Sequence, residues 1–93
     1  MWKVIDRWNN EIILTKERWM HISEYHWELS ARLDDVLKTI QSGKRKQDKL
    51  IPDKFYYTHP FLDLPHNYTH INVIVKLGLS KFVITAYPIA QKR

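Results

Sequence analysis

The sequence predicts an α+β fold: an N-terminal β-hairpin or extended pair, two helices, then a roughly four-stranded antiparallel sheet. Apolar residues recur at helical spacing through Leu29, Leu33, Val36, Leu37 and Ile40, and they alternate through Ile71, Val73, Val75 and Leu77. Between these regimes, Ser42-Gly43 stops the helical pattern, and Pro60, Pro65 and Asn67 interrupt the strand pattern. Helices followed by strands, with no long linker, predict one domain over residues 1–93, with helices on one face of the sheet.

The elements follow in order. Trp2, Val4 and Ile5 and then Ile12, Ile13 and Leu14 flank the polar turn Asp6-Arg7-Trp8-Asn9-Asn10, whose asparagines tolerate the left-handed backbone of a tight turn. Thr15 suits an N-cap, with Glu17 where the helix dipole favours an anion, and Trp19, Ile22 and Tyr25 share one stripe. The second helix carries the apolar series from Leu29 to Ile40 and ends at Gly43. Strands are expected at 44–51, 55–59, 70–77 and 82–87. In the third, His70, Asn72, Ile74 and Lys76 face away from Ile71, Val73 and Val75. Neither face of the last strand is polar throughout, which predicts a central or covered position.

Composition narrows the chemistry. There is no cysteine, so disulfides, thiolate metal sites and cysteine nucleophiles are excluded, and a cytoplasmic protein is expected. No apolar run approaches the roughly 18 residues of a membrane helix. Gly43 and Gly78 are the only glycines, too few for a phosphate-cradling loop, and no G-x-S-x-G elbow occurs. Residues 1–43 hold six Lys/Arg against seven Asp/Glu, whereas residues 44–93 hold nine against three. That asymmetry predicts a basic sheet that receives a polyanion, with RNA the first candidate.

Lys44, Arg45, Lys46 and Lys49 form the candidate phosphate-tracking stretch, with Lys54 close behind. The competing reading is a solvated edge strand, where lysines discourage sheet-to-sheet pairing. Tyr56 and Tyr57 are candidates for stacking on unpaired bases, Tyr57 first, and His70 lies on the same outward strand face as Asn72. His21 and His26 are five apart, a spacing that separates them by about 140° on a helix and suits no shared metal. Helix-capping or boundary packing is the alternative for each histidine. Scarce carboxylates in the C-terminal half disfavour a two-magnesium nuclease, and neither metal nor cofactor is called for. Metal-free RNA cleavage needs a base for the 2′-hydroxyl, an acid for the leaving 5′-oxygen and donors for the phosphorane charge, all available from His, Tyr, Lys, Arg and Thr.

The phrase Trp19-x-His21-Ile22-x-x-x-His26-x-Glu28-Leu29, then Leu33-Asp34-Asp35-Val36-Leu37-x-x-Ile40, closes with Val73-Ile74-Val75 and Phe82-Val83-Ile84-Thr85-Ala86-Tyr87-Pro88. This pattern, over residues 18–88, resembles a group of small phage- or mobile-element-borne domains in the barnase–EndoU–colicin–RelE superfamily. Members often place Arg before the second histidine and Pro after it, where this chain has Tyr25 and Trp27. The resemblance implies a metal-independent, toxin-like endoribonuclease working on the open face of a sheet. By that resemblance His21, His26, Thr85 and Tyr87 are the catalytic candidates, with Arg45 and Lys46 countering phosphate charge. A non-catalytic RNA- or protein-binding module on the same fold is the alternative. A third reading has the basic face meeting an acidic antitoxin or immunity protein.

Overall fold

In the computed structural model, which describes residues 1–91, nine elements follow in order. They are β1 (Trp2–Ile5), β2 (Glu11–Leu14), α1 (Lys16–Tyr25), a 3-10 turn (Trp27–Leu29), α2 (Leu33–Ser42), β3 (Lys44–Gln47), β4 (Lys54–Pro60), β5 (His70–Leu77) and β6 (Lys81–Ile89). The α+β class holds. The sheet differs from expectation: it is six-stranded and mixed, in the order β1-β2-β6-β5-β4-β3, not four-stranded and antiparallel. The N-terminal hairpin joins it through a parallel pairing of Ile13 with Phe82. The reason lies in β2 itself. Ile12 and Leu14 are fully buried in the core and Ile13 is half-buried on the other face, the pattern of an internal strand, and β2 accordingly has a neighbour on each edge, β1 and β6.

Two helix boundaries also move. Leu29 belongs to the 3-10 turn, and α2 starts only at Leu33, after Arg32. Arg32 ties this junction down by pairing with Asp35 at 3.1 Å and with Asp63 at 3.2 Å. The basic strand is shorter than expected, ending at Gln47. Asp48 stops it: its carboxylate accepts from the amides of Leu50 and Ile51, an Asx-type turn that leaves Lys49 in a loop.

Alternation sorts the sheet into two faces. Tyr57, Ile71, Val73, Val75 and Ala86 are completely buried and join Ile22, Leu29, Val36 and Ile40 in one core. The opposite face carries Lys44 and Lys46, Tyr56 and Thr58, His70 and Asn72, and Thr85 and Tyr87, matched across the strands by their register. The mixed pattern of β6 has a physical cause. Ile74 pairs with Thr85 while Val75 pairs with Val83, so Ile84 is an extra residue in a β-bulge. The bulge lets Val83 and Ala86, three apart, both turn into the core. β6 is flanked by β2 and β5, the central position its composition predicts.

The hairpin tip closes over the sheet. Asp6, only 5% exposed, accepts from the Trp8 amide at 2.9 Å and the Asn10 amide at 2.8 Å. Asn9 takes the left-handed conformation this turn requires, with φ of 64°. The other Asp6 oxygen accepts the Tyr57 hydroxyl at 2.5 Å, and Arg45 Nη1 stands 3.7 Å from it. Arg45 itself is layered between the rings of Trp8, at 3.9 Å, and Phe55, at 4.7 Å. Burial pushes the Asp6 carboxyl up, but the hydrogen bonds from Tyr57, Asn10 and Trp8 outweigh it and hold the group below its ordinary value. Tyr57 is pushed upward by burial and by the same bond. The expected base-stacking role of Tyr57 is therefore corrected: its ring lies in the core and its hydroxyl is committed to Asp6.

Asp6→Ala leaves a buried tyrosine hydroxyl without its acceptor and should cost about 1–3 kcal/mol of stability in urea unfolding. Because the folded carboxyl titrates below the unfolded one, its contribution is full above the unfolded pKa of about 3.9 and fades as pH falls through the lower folded value. Asp6→Asn should flatten the loss of stability through that acid window, read from melting temperature against pH. A side chain at Gly43 would meet the backbone carbonyls of Thr39 and Thr58, the latter at 2.7 Å. Gly43→Ala should accordingly cost about 1–3 kcal/mol by the same unfolding measurement.

Candidate nucleic-acid interface

The cations of β3 divide by alternation. Lys44 and Lys46 share the open face with Tyr56 and Thr58, whereas Arg45 turns to the side of Tyr57 and is engaged by Asp6. All three nonetheless border a groove of about 630 Å³ at the beginning of β3, where the short strand leaves the end of β4 uncovered. Arg7 joins them from the hairpin tip, its guanidinium 3.4 Å from the Ser42 carbonyl. His59 and His70 complete the polar lining, and no carboxylate borders the groove. Arg45 is already paired with Asp6, which leaves Arg7, Lys44 and Lys46, with two titratable rings, to make the groove an attractor for anions.

Tyr56 borders the groove with its hydroxyl anchored on Asp48 at 2.5 Å and the Lys54 ammonium 5.6 Å from its ring. That bond, with the Leu50 and Ile51 amides, holds the Asp48 carboxyl down at about 2. Tyr56 thus takes the partly exposed position that Tyr57 does not. Lys49, exposed in the loop after Asp48, lies outside the main groove but lines a shallower depression with Lys46 and Tyr56.

A polar line leads away from the groove across three strands. Thr58 Oγ1 donates to Asn72 Oδ1 at 2.8 Å, and Asn72 Nδ2 donates to the Tyr87 hydroxyl at 2.9 Å. Asn72 is 7% exposed, so both halves of its amide are used where water scarcely reaches. The Tyr87 oxygen is an acceptor in this line, which frees its hydrogen for another partner. The His26 ring lies 6.0 Å from the Tyr87 ring. Thr85 sits one step along β6 on the same face, opposite Ile74.

The structure therefore lines up Lys44, Thr58, Asn72 and Tyr87 across four strands, with Lys46 and Thr85 on the same face, His26 against Tyr87, and His70 two residues from Asn72 along β5. It does not bring in His21, whose ring stacks on Tyr25 at 4.5 Å beside Thr15, Glu17 and Arg18. Five residues on a helix that ends at Tyr25 put the two histidines on different sides, as their spacing requires. Arg7, Thr58 and His59 escaped the sequence reading. The signal for Thr58 was its place beside Tyr56 in the alternation of β4, whereas His59 alternates with Tyr57 on the other face and nothing local to Arg7 marks its approach to residue 42. Among the described residues, no three His, Asp or Glu side chains converge as a metal site would, and no helix is long and apolar enough to cross a membrane.

Comparison with known proteins adds no name to this geometry: no protein family, curated protein or solved structure matches the chain.

Proposed function

We propose that the protein is a metal-independent endoribonuclease that lays an RNA strand along the open face of its sheet. The observation that carries this reading is the continuous line His26–Tyr87–Asn72–Thr58, which joins an imidazole and a phenol to an acid-free cationic groove. The resemblance of the His21–Leu29 and Phe82–Pro88 segments to toxin-like ribonucleases supports the same assignment.

In this mechanism Arg7, Lys44 and Lys46 hold phosphates of the strand, and the scissile phosphodiester lies by Tyr87. His26 removes the 2′-hydroxyl proton as that oxygen attacks phosphorus. The bond to the 5′-oxygen breaks, and Tyr87 delivers a proton to the departing oxygen. Thr85 donates to a non-bridging oxygen as phosphorane charge develops. The products are a 2′,3′-cyclic phosphate and a free 5′-hydroxyl; water returns the proton from His26 to Tyr87. Asn72 acts through Tyr87 as a positioning residue, because its amide fixes the phenol oxygen and leaves the phenol hydrogen for the substrate.

Cleavage of mixed cellular RNA in excess EDTA tests the proposal. His26→Ala should lower the rate by about 10²–10⁴ with little change in melting temperature, while His21→Ala should retain the wild-type rate. Products should carry 2′,3′-cyclic phosphate ends. Salt-sensitive binding without turnover in the wild type would remove the catalytic assignment and leave an RNA-binding module. An acidic antitoxin or immunity protein fits the same basic groove, and co-purification of such a partner, displaced by salt, is the test for it.

A further inference from the structure

The cationic groove continues into a second cleft of about 570 Å³, and the two share His59, Pro60 and His70. The chemistry changes across that boundary. Four Lys/Arg residues border the groove, whereas the cleft has Lys38 alone, set among Pro60, Phe61 and Leu62. The His59 ring lies 4.8 Å from the Phe61 ring, tilted by 40°, and its Nδ1 is held 2.8 Å from the Pro60 carbonyl oxygen. Phe61 is itself packed against the core, so the ring pair is a fixed wall and not a loose one. Leu62, at the rim, is 92% exposed.

A cation-lined channel that opens sideways into a mostly apolar, ring-lined wall has the two surfaces of an unpaired nucleotide: a charged backbone and a base with an apolar face. We propose that this cleft receives one unpaired nucleobase of the strand whose phosphates occupy the groove, which makes single-stranded RNA the substrate class. The inference rests on the RNA reading above and deepens it. His59 and Phe61 form the stacking wall, Leu62 closes over the base, and Lys38 stands where a base carbonyl or the next phosphate arrives. Duplex RNA keeps its bases paired and cannot place one there. The site lies at the Pro60 end of β4, separate from the His26–Tyr87 pair, and so acts on recognition and not on bond breaking.

Fluorescence anisotropy with a 2′-O-methyl uridine decamer tests this without cleavage, since the attacking hydroxyl is blocked. The comparison ligands are the same backbone with abasic sugars throughout, which carries identical phosphates, and a blunt 2′-O-methyl duplex. The single strand should bind at least about tenfold more tightly than either. Leu62→Ser, at an exposed position, should weaken the uridine decamer and leave the abasic one unchanged. Equal affinity for intact and abasic strands, with binding lost in Lys44→Glu/Lys46→Glu, would overturn the base site and keep the phosphate groove. No binding of any of the three at low salt would overturn the RNA reading itself, and the base site with it.

Discussion

The buried carboxylate of Asp6 is the constraint on which the rest of the structure depends. It belongs to a turn at the far edge of the sheet, yet it accepts a hydrogen bond from the Tyr57 hydroxyl of β4 and faces Arg45 of β3. Edge β1 and edge β3 are thereby tied together across the core. A charge so enclosed is tolerable only because four donor groups surround it, from the Trp8 and Asn10 amides, the Asn10 side chain and the Tyr57 hydroxyl. Arg45, layered on Trp8 and Phe55, carries the opposite charge to the same place. Without this junction the hairpin would keep its buried Ile12 and Leu14 and the Ile13–Phe82 bridge, but nothing would hold its tip, and Arg7 with it, beside the groove.

The same economy governs the open face. Its cations fall in two groups, Lys44 and Lys46 where β3 begins and Lys54 and Lys76 at the other end of β4 and β5, and its one nearly buried polar side chain, Asn72, is fully used between Thr58 and Tyr87. Such a line holds three side chains in register, because Asn72 bridges two hydroxyls on the strands that flank it. Across the strands the face runs from Lys44 on β3 to Tyr87 on β6. A strand laid across it meets these ends in a fixed order.

Much of this was legible in the residues, for reasons particular to each segment. The alternation of β5 determined which of its side chains meet the core, and the same rule applied to β4 puts Tyr57 inside and Tyr56 outside, a consequence the run of adjacent tyrosines obscured. Lys44, Arg45 and Lys46 read as one basic stretch, although a strand must send the middle residue to the other face. The parallel partnership of β2 with β6 was not legible, because almost seventy positions separate Ile13 from Phe82 and neither carries a local mark of the other. For the same reason Arg7 could not be assigned to the groove: its membership depends on the closure made by Asp6. Family resemblance grouped both His21 and His26 with Thr85 and Tyr87, and no spacing argument within the chain distinguished the histidine that meets Tyr87 from the one that does not.

Gly43 has a consequence for how the groove and the core share their fate. The last turn of α2 and the first residue of β3 adjoin with no connecting loop, and the backbone carbonyls of Thr39 and Thr58 close in on the glycine from both sides. There is no slack in this joint. Under the proposed function, a phosphate chain held by Lys44 and Lys46 would be joined directly to the end of the helix that carries Val36 and Ile40 into the core. Occupancy of the groove would then be felt by the whole fold, and ligand affinity and resistance to unfolding would be linked.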